Sequence, residues 1–378
     1  MNIVKIIFHM KILWFVTKIG IMGTVLIISF EFFSFLGTKL QLFLVNDTPK
    51  FYKIGFKTKY TNKQLLYTSK PWGDWKLPNR SIKHQTKCFD YTLSTNEIGA
   101  RDTSFEKLNK EAVFLLGDSF AEGWGVKDSE TSQFYLEKIL KKDVLNFGAA
   151  GDFGPLQYLM IYEHFKQKYK HQEILVYFLP SNDFTDNDAV YWEKYGKNIG
   201  RHRPYFSNKG NALAPFYFKK SNKKINEENE KIITVSQIKG WIVYYTYSSN
   251  VLRSISYLIK GYSGIGGYYN SYEYQNRNVI SSFNKLVEIA NLKPVTFVVI
   301  PTIGDIIEKN KSKDIYKTQL WFKGLKKLEL KKNVTLIDLM DLLPNDYMSL
   351  FHTCDGHWSA DGNEWAAKKI ANIINNRK

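Results

Sequence analysis

Thiols are scarce: Cys88 and Cys354 are the only cysteines in 378 residues, and they stand far apart. That spacing excludes a zinc knuckle and a C-x-x-C redox pair. In an exported domain a disulfide between them is permitted; two free buried thiols are the other reading. Acidic residues are in deficit as well, 36 against 53 basic ones, for a formal net charge of +17. Such a balance favours anionic polymers or membrane surfaces. The cations are scattered lysines rather than arginine clusters set in a recognition motif. This argues against nucleic acid and leaves polyanionic glycans or phospholipid headgroups. Cofactor fingerprints are absent too. The glycine-rich loop at 146–155 lacks the Lys and the Ser or Thr of a P-loop, and the run at 180–187 lacks the spacing and terminal Glu of an EF-hand. No metal and no cofactor is expected, so any chemistry must come from side chains.

Hydrophobic residues make up 44% of the chain, enough for a globular core. The run at 12–30 is almost wholly apolar, broken by Lys18, with Lys5 and Lys11 before it and Glu31 just after. About 20 apolar residues span a bilayer, so residues 1–32 are expected to form an N-terminal membrane anchor or signal segment. No small-residue cleavage pattern follows the run, which favours an uncleaved transmembrane helix; a buried soluble helix is the bland alternative. The basic flank stays in the cytoplasm and sends the body outward.

Residues 33–109 show no clear period and are rich in Tyr, Lys and Thr, with PWGDW at 71–75 and TNEIGARD at 95–102. This stretch reads as an aromatic lead-in packed on the body, although exposed Trp and Tyr would stack on sugar rings. From 110 onward, apolar runs alternate with helical patterns: EAVFLL (111–116), DVLNFG (143–148), EILVYFL (173–179), PVTFVVI (294–300) and NVTLIDL (333–339). Helical stretches at 130–141 and 156–169 separate the first three. The alternation predicts an α/β domain at 110–378 with a doubly wound, mostly parallel five-stranded sheet, whose ligand lies beyond the carboxyl ends of the strands. A long insertion at about 189–291 carries GRHRPYF (200–206), a charged linker (219–231) and a Tyr-rich helical region (237–260) apolar enough to pack on the body or on a membrane face. Arg201, His202 and Arg203 read as surface charge, with an anionic substrate as the other possibility.

Four polar clusters follow strands or precede the last helix. After the first strand, Gly117 allows a sharp turn that delivers Asp118 and Ser119 to the sheet edge. A serine there can act as a nucleophile while its own N–H binds an oxyanion; a helix N-cap is the plain alternative. NFGAAG at 146–151 suits a backbone that must come close to something, with Gly151 N–H as a second oxyanion donor. Asn182 in PSND can donate its amide to the same oxyanion or form an Asx turn, while Asp183 and Asp186 are turn formers or helix caps. Near the end, Asp355 and His357 flank one residue ahead of a helix starting around Ala360. An extended segment would point both side chains the same way, so that Asp355 orients the imidazole and His357 faces Ser119. A surface histidine beside a cap at Ser359 or Asp361 is the alternative.

Taken together, GDS at 117–119, NFGAAG at 146–151, SND at 181–183 and DGH at 355–357 resemble, in order, the blocks of the SGNH (GDSL-like) hydrolase family over roughly residues 95–375. The resemblance implies a flavodoxin-like three-layer fold with Ser119 as nucleophile, His357 as base and Asp355 as its partner. It implies an oxyanion hole from Ser119, Gly151 and Asn182. TNEIGARD, NDFTDN and RPYF look like an exported bacterial subgroup, membrane-anchored with the catalytic domain in the periplasm or at the cell surface. Many members carry Asp three residues before His; here Cys354 holds that place and Asp355 sits two before. That spacing, followed by Trp358, is similar to proteins that O-acetylate exopolysaccharides such as alginate. The Asn block also begins PSND where Gly often precedes Asn. Three functions stay open: an O-esterase on an extracytoplasmic carbohydrate or lipid, an O-acyltransferase modifying an envelope polysaccharide, and a non-catalytic glycan-binding protein.

Overall fold

In the computed structural model, the residues described are 3–40, 42–43, 67–85, 89–107, 112–151, 153–195, 202–207, 215–217, 246–260, 267–352 and 355–377. Cys88, Cys354, Arg201, the charged linker and the first part of the 237–260 region lie outside them.

Helix α1 (Ile3–Lys39) absorbs the N-terminal apolar run. Its His9–Lys39 portion is long and apolar enough to cross a membrane, by length and composition. Two short antiparallel hairpins follow, β1 (Tyr67–Lys70) with β2 (Gly73–Lys76), and β3 (Ser81–Gln85) with β4 (Asp90–Ser94). Trp72 and Trp75 of PWGDW are both buried, Trp72 against Phe165 at 5.3 Å between ring centroids, so neither offers a face to a sugar.

Each of the five apolar runs becomes a strand: β5 (Val113–Leu116), β6 (Val144–Asn146), β7 (Glu173–Phe178), then β10 (Val295–Val299) and β11 (Val334–Asp338). Between β7 and β10 lies a two-residue pair, β8 (Tyr205–Phe206) with β9 (Pro215–Phe216). The five form one sheet in the order β11-β10-β7-β5-β6, every pair parallel. All residues of β5, β6, β7 and β10 are buried, whereas the edge strand β11 is partly exposed. Burial on both faces is what helices packed on either side of a parallel sheet demand.

The helices used below are α2 (Ser119–Glu122), α3 (Ser132–Leu140), α4 (Pro155–Phe165), α5 (Pro180–Asp186), α6 (Ala189–Tyr195), α7 (Ser248–Lys260), α8 (Glu273–Ile289), α9 (Ile303–Ser312), α10 (Leu320–Glu329) and α11 (Ala360–Asn375). Helix α11 packs on α3, while α4, α8 and α10 pack in series. The fold is thus α/β and doubly wound. The chain leaves β5 toward β6 and then returns past it to β7, so the strand order reverses between β5 and β7, and the crevice at their carboxyl ends is where ligands of such sheets bind.

The described residues group into two compact units, one within Met1–Lys57 and Ile233–Gly261, the other within Thr58–Ile232 and Tyr262–Lys378. The expected insertion at 189–291 is therefore split. Helix α7 belongs with α1, whereas α8 packs on α4 and α10 as part of the connection from β7 to β10. Val279, Phe283, Leu286 and Val287 form a helical stripe buried in the core, a signal obscured by the surrounding tyrosines.

Candidate active site

The site starts at Gly117. A Cβ there would stand 2.7 Å from Ala121 Cβ and 2.8 Å from Tyr177 Cβ, so only glycine lets β5 turn into α2 this tightly. The two residues of the following dipeptide take different partners. Asp118 is the cap, its Oδ1 accepting from Phe120 N at 2.9 Å. Ser119 is left for another partner: its Oγ lies 2.8 Å from His357 Nε2. At the first position of α2, the Ser119 N–H has no carbonyl to reach within the helix.

His357 Nδ1 bonds Asp355 Oδ1, which completes a chain from carboxylate to imidazole to hydroxyl. The route differs from the extended segment expected from the sequence. Gly356 N donates to His352 O at 2.6 Å and His352 N to His357 O at 2.7 Å, beside a bridge between Phe351 and Trp358. Gly356 adopts φ +87, a backbone reversal that glycine reaches at low cost and that folds the carboxylate back onto its own imidazole. Helix α11 then begins under a cap from Ser359, whose Oγ accepts from Gly362 N at 3.2 Å. Asn363 on α11 accepts from Ser132 N at 3.0 Å and so ties the histidine segment to α3.

Burial opposes the charge on Asp355, but the hydrogen bond and charge of His357, a hydrogen bond from the Trp124 side chain and the charge of His352 outweigh it, holding the carboxyl below its ordinary value. Phe120 flanks the imidazole at 5.0 Å between ring centroids and Trp124 at 6.1 Å. With Asp355 ionised, Nδ1 carries the ring proton, and Nε2 presents its lone pair to the serine hydroxyl.

Asn182, on α5, reaches the triad through Asp118: its Nδ2 donates to Asp118 Oδ2 at 3.3 Å. An amide nitrogen has two hydrogens, so one such bond fixes the plane and leaves the second N–H. Burial raises the Asp118 carboxyl, against hydrogen bonds from Phe120 and Asn182 and the charge of His357. The neighbouring Asp183 is a buried anchor for α5, accepting from Leu179 N and from the Tyr158 hydroxyl, each at 2.8 Å.

The loop carrying Gly151 is held on α2. Gly148 approaches so closely that a Cβ would meet Ala121 Cβ at 2.6 Å. Ala149 N donates to Gly117 O at 3.2 Å, and Ala150 N donates to the Glu122 carboxylate. That carboxylate is fully buried and pairs with Lys76 of β2 at 2.6 Å. Gly151, at φ +103, lines a small cleft with Asp74, Phe153, Gln157, His202 and Arg203. Arg203 is not the surface charge expected: it is 2% exposed, lies over the Trp192 ring at 4.7 Å and donates to Asp186 O at 3.2 Å.

Ser119, His357 and Asp355 are thus joined directly, Asn182 through Asp118, and Gly151 through its loop. Sequence reasoning missed Trp124, Glu122, Lys76 and Arg101. The last donates to the carbonyls of Glu122, Gly123 and Val126, bracing the segment after the serine. TNEIGARD contains that arginine, and the string was the one available signal for it.

No protein-family model matches the chain, and no curated protein does. Among solved structures, a lipase/acylhydrolase from Enterococcus faecalis is similar at 11% identity and TM-score 0.39, covering 70% of this chain and 95% of that one. A member of the lipolytic protein G-D-S-L family from Veillonella parvula gives 11% and 0.37, covering 71% and 100%. A salicylyl-acyltransferase from a tetracycline biosynthetic pathway gives 14% and 0.36, covering 72% and 57%. Likenesses this distant leave function to the chain's own residues.

Proposed function

We propose that this chain is a serine-dependent acyl-ester hydrolase of SGNH type, anchored in a bacterial membrane by α1 and acting outside the cytoplasm on O-acyl groups of a carbohydrate or lipid. The observation that carries this reading is the chain of contacts from Asp355 through His357 to Ser119, with 2.8 Å between Nε2 and Oγ. Ser119 Oγ attacks the acyl carbonyl as Nε2 takes its proton. The Ser119 N–H, the Gly151 N–H and the second Asn182 N–H hold the oxyanion. Nε2 then returns the proton to the leaving alkoxide, and an acyl-Ser119 ester remains. A second hydroxyl, deprotonated by Nε2, attacks that ester, and Oγ recovers its proton. Water as this second nucleophile gives hydrolysis; a sugar hydroxyl gives transfer. Loss of one oxyanion donor costs about 3 kcal/mol in the transition state, on the order of a hundredfold in rate.

The side chains of Asp355 and His357 are each 24% exposed, so the rim is open to an acyl group presented on a larger molecule. The basic flank of α1, Lys5 and Lys11, supports an outward-facing body. Turnover of p-nitrophenyl acetate by full-length protein tests the reading. Wild type is expected to hydrolyse the ester, and Ser119→Ala to lose on the order of 10⁴-fold or more. No turnover by wild type, or full turnover by Ser119→Ala, would reject catalysis at this site; the first would leave a glycan-binding role. Adding an oligosaccharide acceptor and weighing the products distinguishes transfer from hydrolysis.

A further inference from the structure

The unit formed by α1 and α7 has its polarity inverted. The two helices are in contact, and their buried polar side chains are Ser34 and Thr38 on α1 and Ser249, Asn250 and Ser254 on α7. Asn250 Nδ2 donates to Thr38 Oγ1 at 2.9 Å. Glu31, which ends the apolar run of α1, accepts from Tyr247 N and, at 3.0 Å, from Ser248 N, so its carboxylate caps the start of α7. Large apolar residues face outward. Leu252, Ile255 and Ile259, at i, i+3 and i+7, form one stripe on α7 with 51%, 45% and 76% of their surface exposed. Phe32 and Phe33 of α1 are exposed as well.

A helix pair folded by water buries its apolar stripe and turns Ser and Asn outward. The reverse arrangement is that of helices surrounded by lipid, where small residues permit close approach and Ser, Thr and Asn bond across the contact. At 13 residues, α7 is roughly 20 Å long, too short to cross a hydrocarbon layer of about 30 Å. We propose that α7 is a second membrane-contacting element, lying in the interfacial layer of the bilayer that α1 enters, with Leu252, Ile255 and Ile259 among the acyl chains. The occupant of the stripe is lipid because α7 is capped and hydrogen-bonded by the end of the one helix, among the described residues, able to cross a membrane. The inference rests on the anchor part of the functional reading and is independent of the chemistry at Ser119.

Full-length protein in phosphatidylcholine–phosphatidylglycerol nanodiscs doped with a diazirine-tailed phospholipid tests it. After irradiation, mass spectrometry is expected to find lipid adducts on α1 peptides and on peptides covering 248–260. In a Leu252→Ser, Ile255→Ser, Ile259→Ser variant, the α7 adducts are expected to fall at least tenfold while those on α1 persist. Adducts confined to α1 would overturn the proposal and leave the anchor standing; adducts on neither helix would overturn both. Cross-links between α7 segments of two copies, in place of lipid adducts, would make the stripe a self-association surface and overturn it as well.

Discussion

Asp355 matters through what it does to one proton. Its carboxyl is held below the ordinary value because His357, Trp124 and His352 together outweigh burial, so it stays charged wherever an imidazole works as a base. The sign follows: the stability tied to this depressed carboxyl is present above the ordinary carboxylate value and disappears only as pH falls through the folded one. Asp355→Asn removes the charge and lets Nδ1 accept instead of donate, which puts the ring proton on the wrong nitrogen. We expect kcat for p-nitrophenyl acetate to fall by about 10²–10⁴-fold, with a modest drop in melting temperature from the lost charge, both measured on the same preparation. An unchanged kcat would remove Asp355 from the mechanism. Ser119, Asp118, Asn182, Asp355 and His357 were legible in the sequence because each sits in a short polar cluster beside a strand or a helix start. Trp124 was not: its role depends on a contact with Asp355, a residue more than two hundred positions away.

Among the elements, the loop after β6 depends most on remote support. Its floor is the Lys76–Glu122 pair; its entrance is Asp102, which accepts from Asn146 N at 2.8 Å, from Gln133 Nε2 at 2.7 Å and from Thr103 N at 2.6 Å. Burial pushes the Asp102 carboxyl up to about 8 even against those donors, with the charge of Glu137 adding to the rise. A carboxyl raised in the folded state contributes stability that is complete below its ordinary value and is lost as pH climbs through the folded one. The melting temperature of the wild type is therefore expected to drop between about pH 4 and pH 8, and that of Asp102→Asn to drop less. Parallel curves for the two proteins, followed by circular dichroism, would contradict this. The strands themselves were readable, since three- to six-residue runs bounded by Gly, Pro and Asn carry a local signal. The reversal at Gly356 was not. A period-2 pattern and a reversal through Gly356 both bring Asp355 and His357 together, and two residues of sequence do not distinguish them.

At the scale of the whole molecule, one unit carries the triad and another carries the apolar helix, and sequence reading grasped the two unequally. The order GDS, NFGAAG, SND and DGH maps onto one rim of one parallel sheet because each block follows a strand end or precedes the last helix. The partnership of α1 with α7 was hidden, since the contacts of Thr38 with Asn250 and of Glu31 with Ser248 join residues more than two hundred positions apart. The net charge of +17 narrowed the partners without choosing one. What the account needs most is that a single hydroxyl, activated by a single imidazole, be the reactive atom. Labelling the full-length protein with a fluorophosphonate and mapping the adduct by peptide mass spectrometry addresses that directly. One adduct is expected, on Ser119, formed at least about a hundredfold more slowly in His357→Ala. An adduct on any other residue, or labelling of Ser119 at an undiminished rate in His357→Ala, would contradict it.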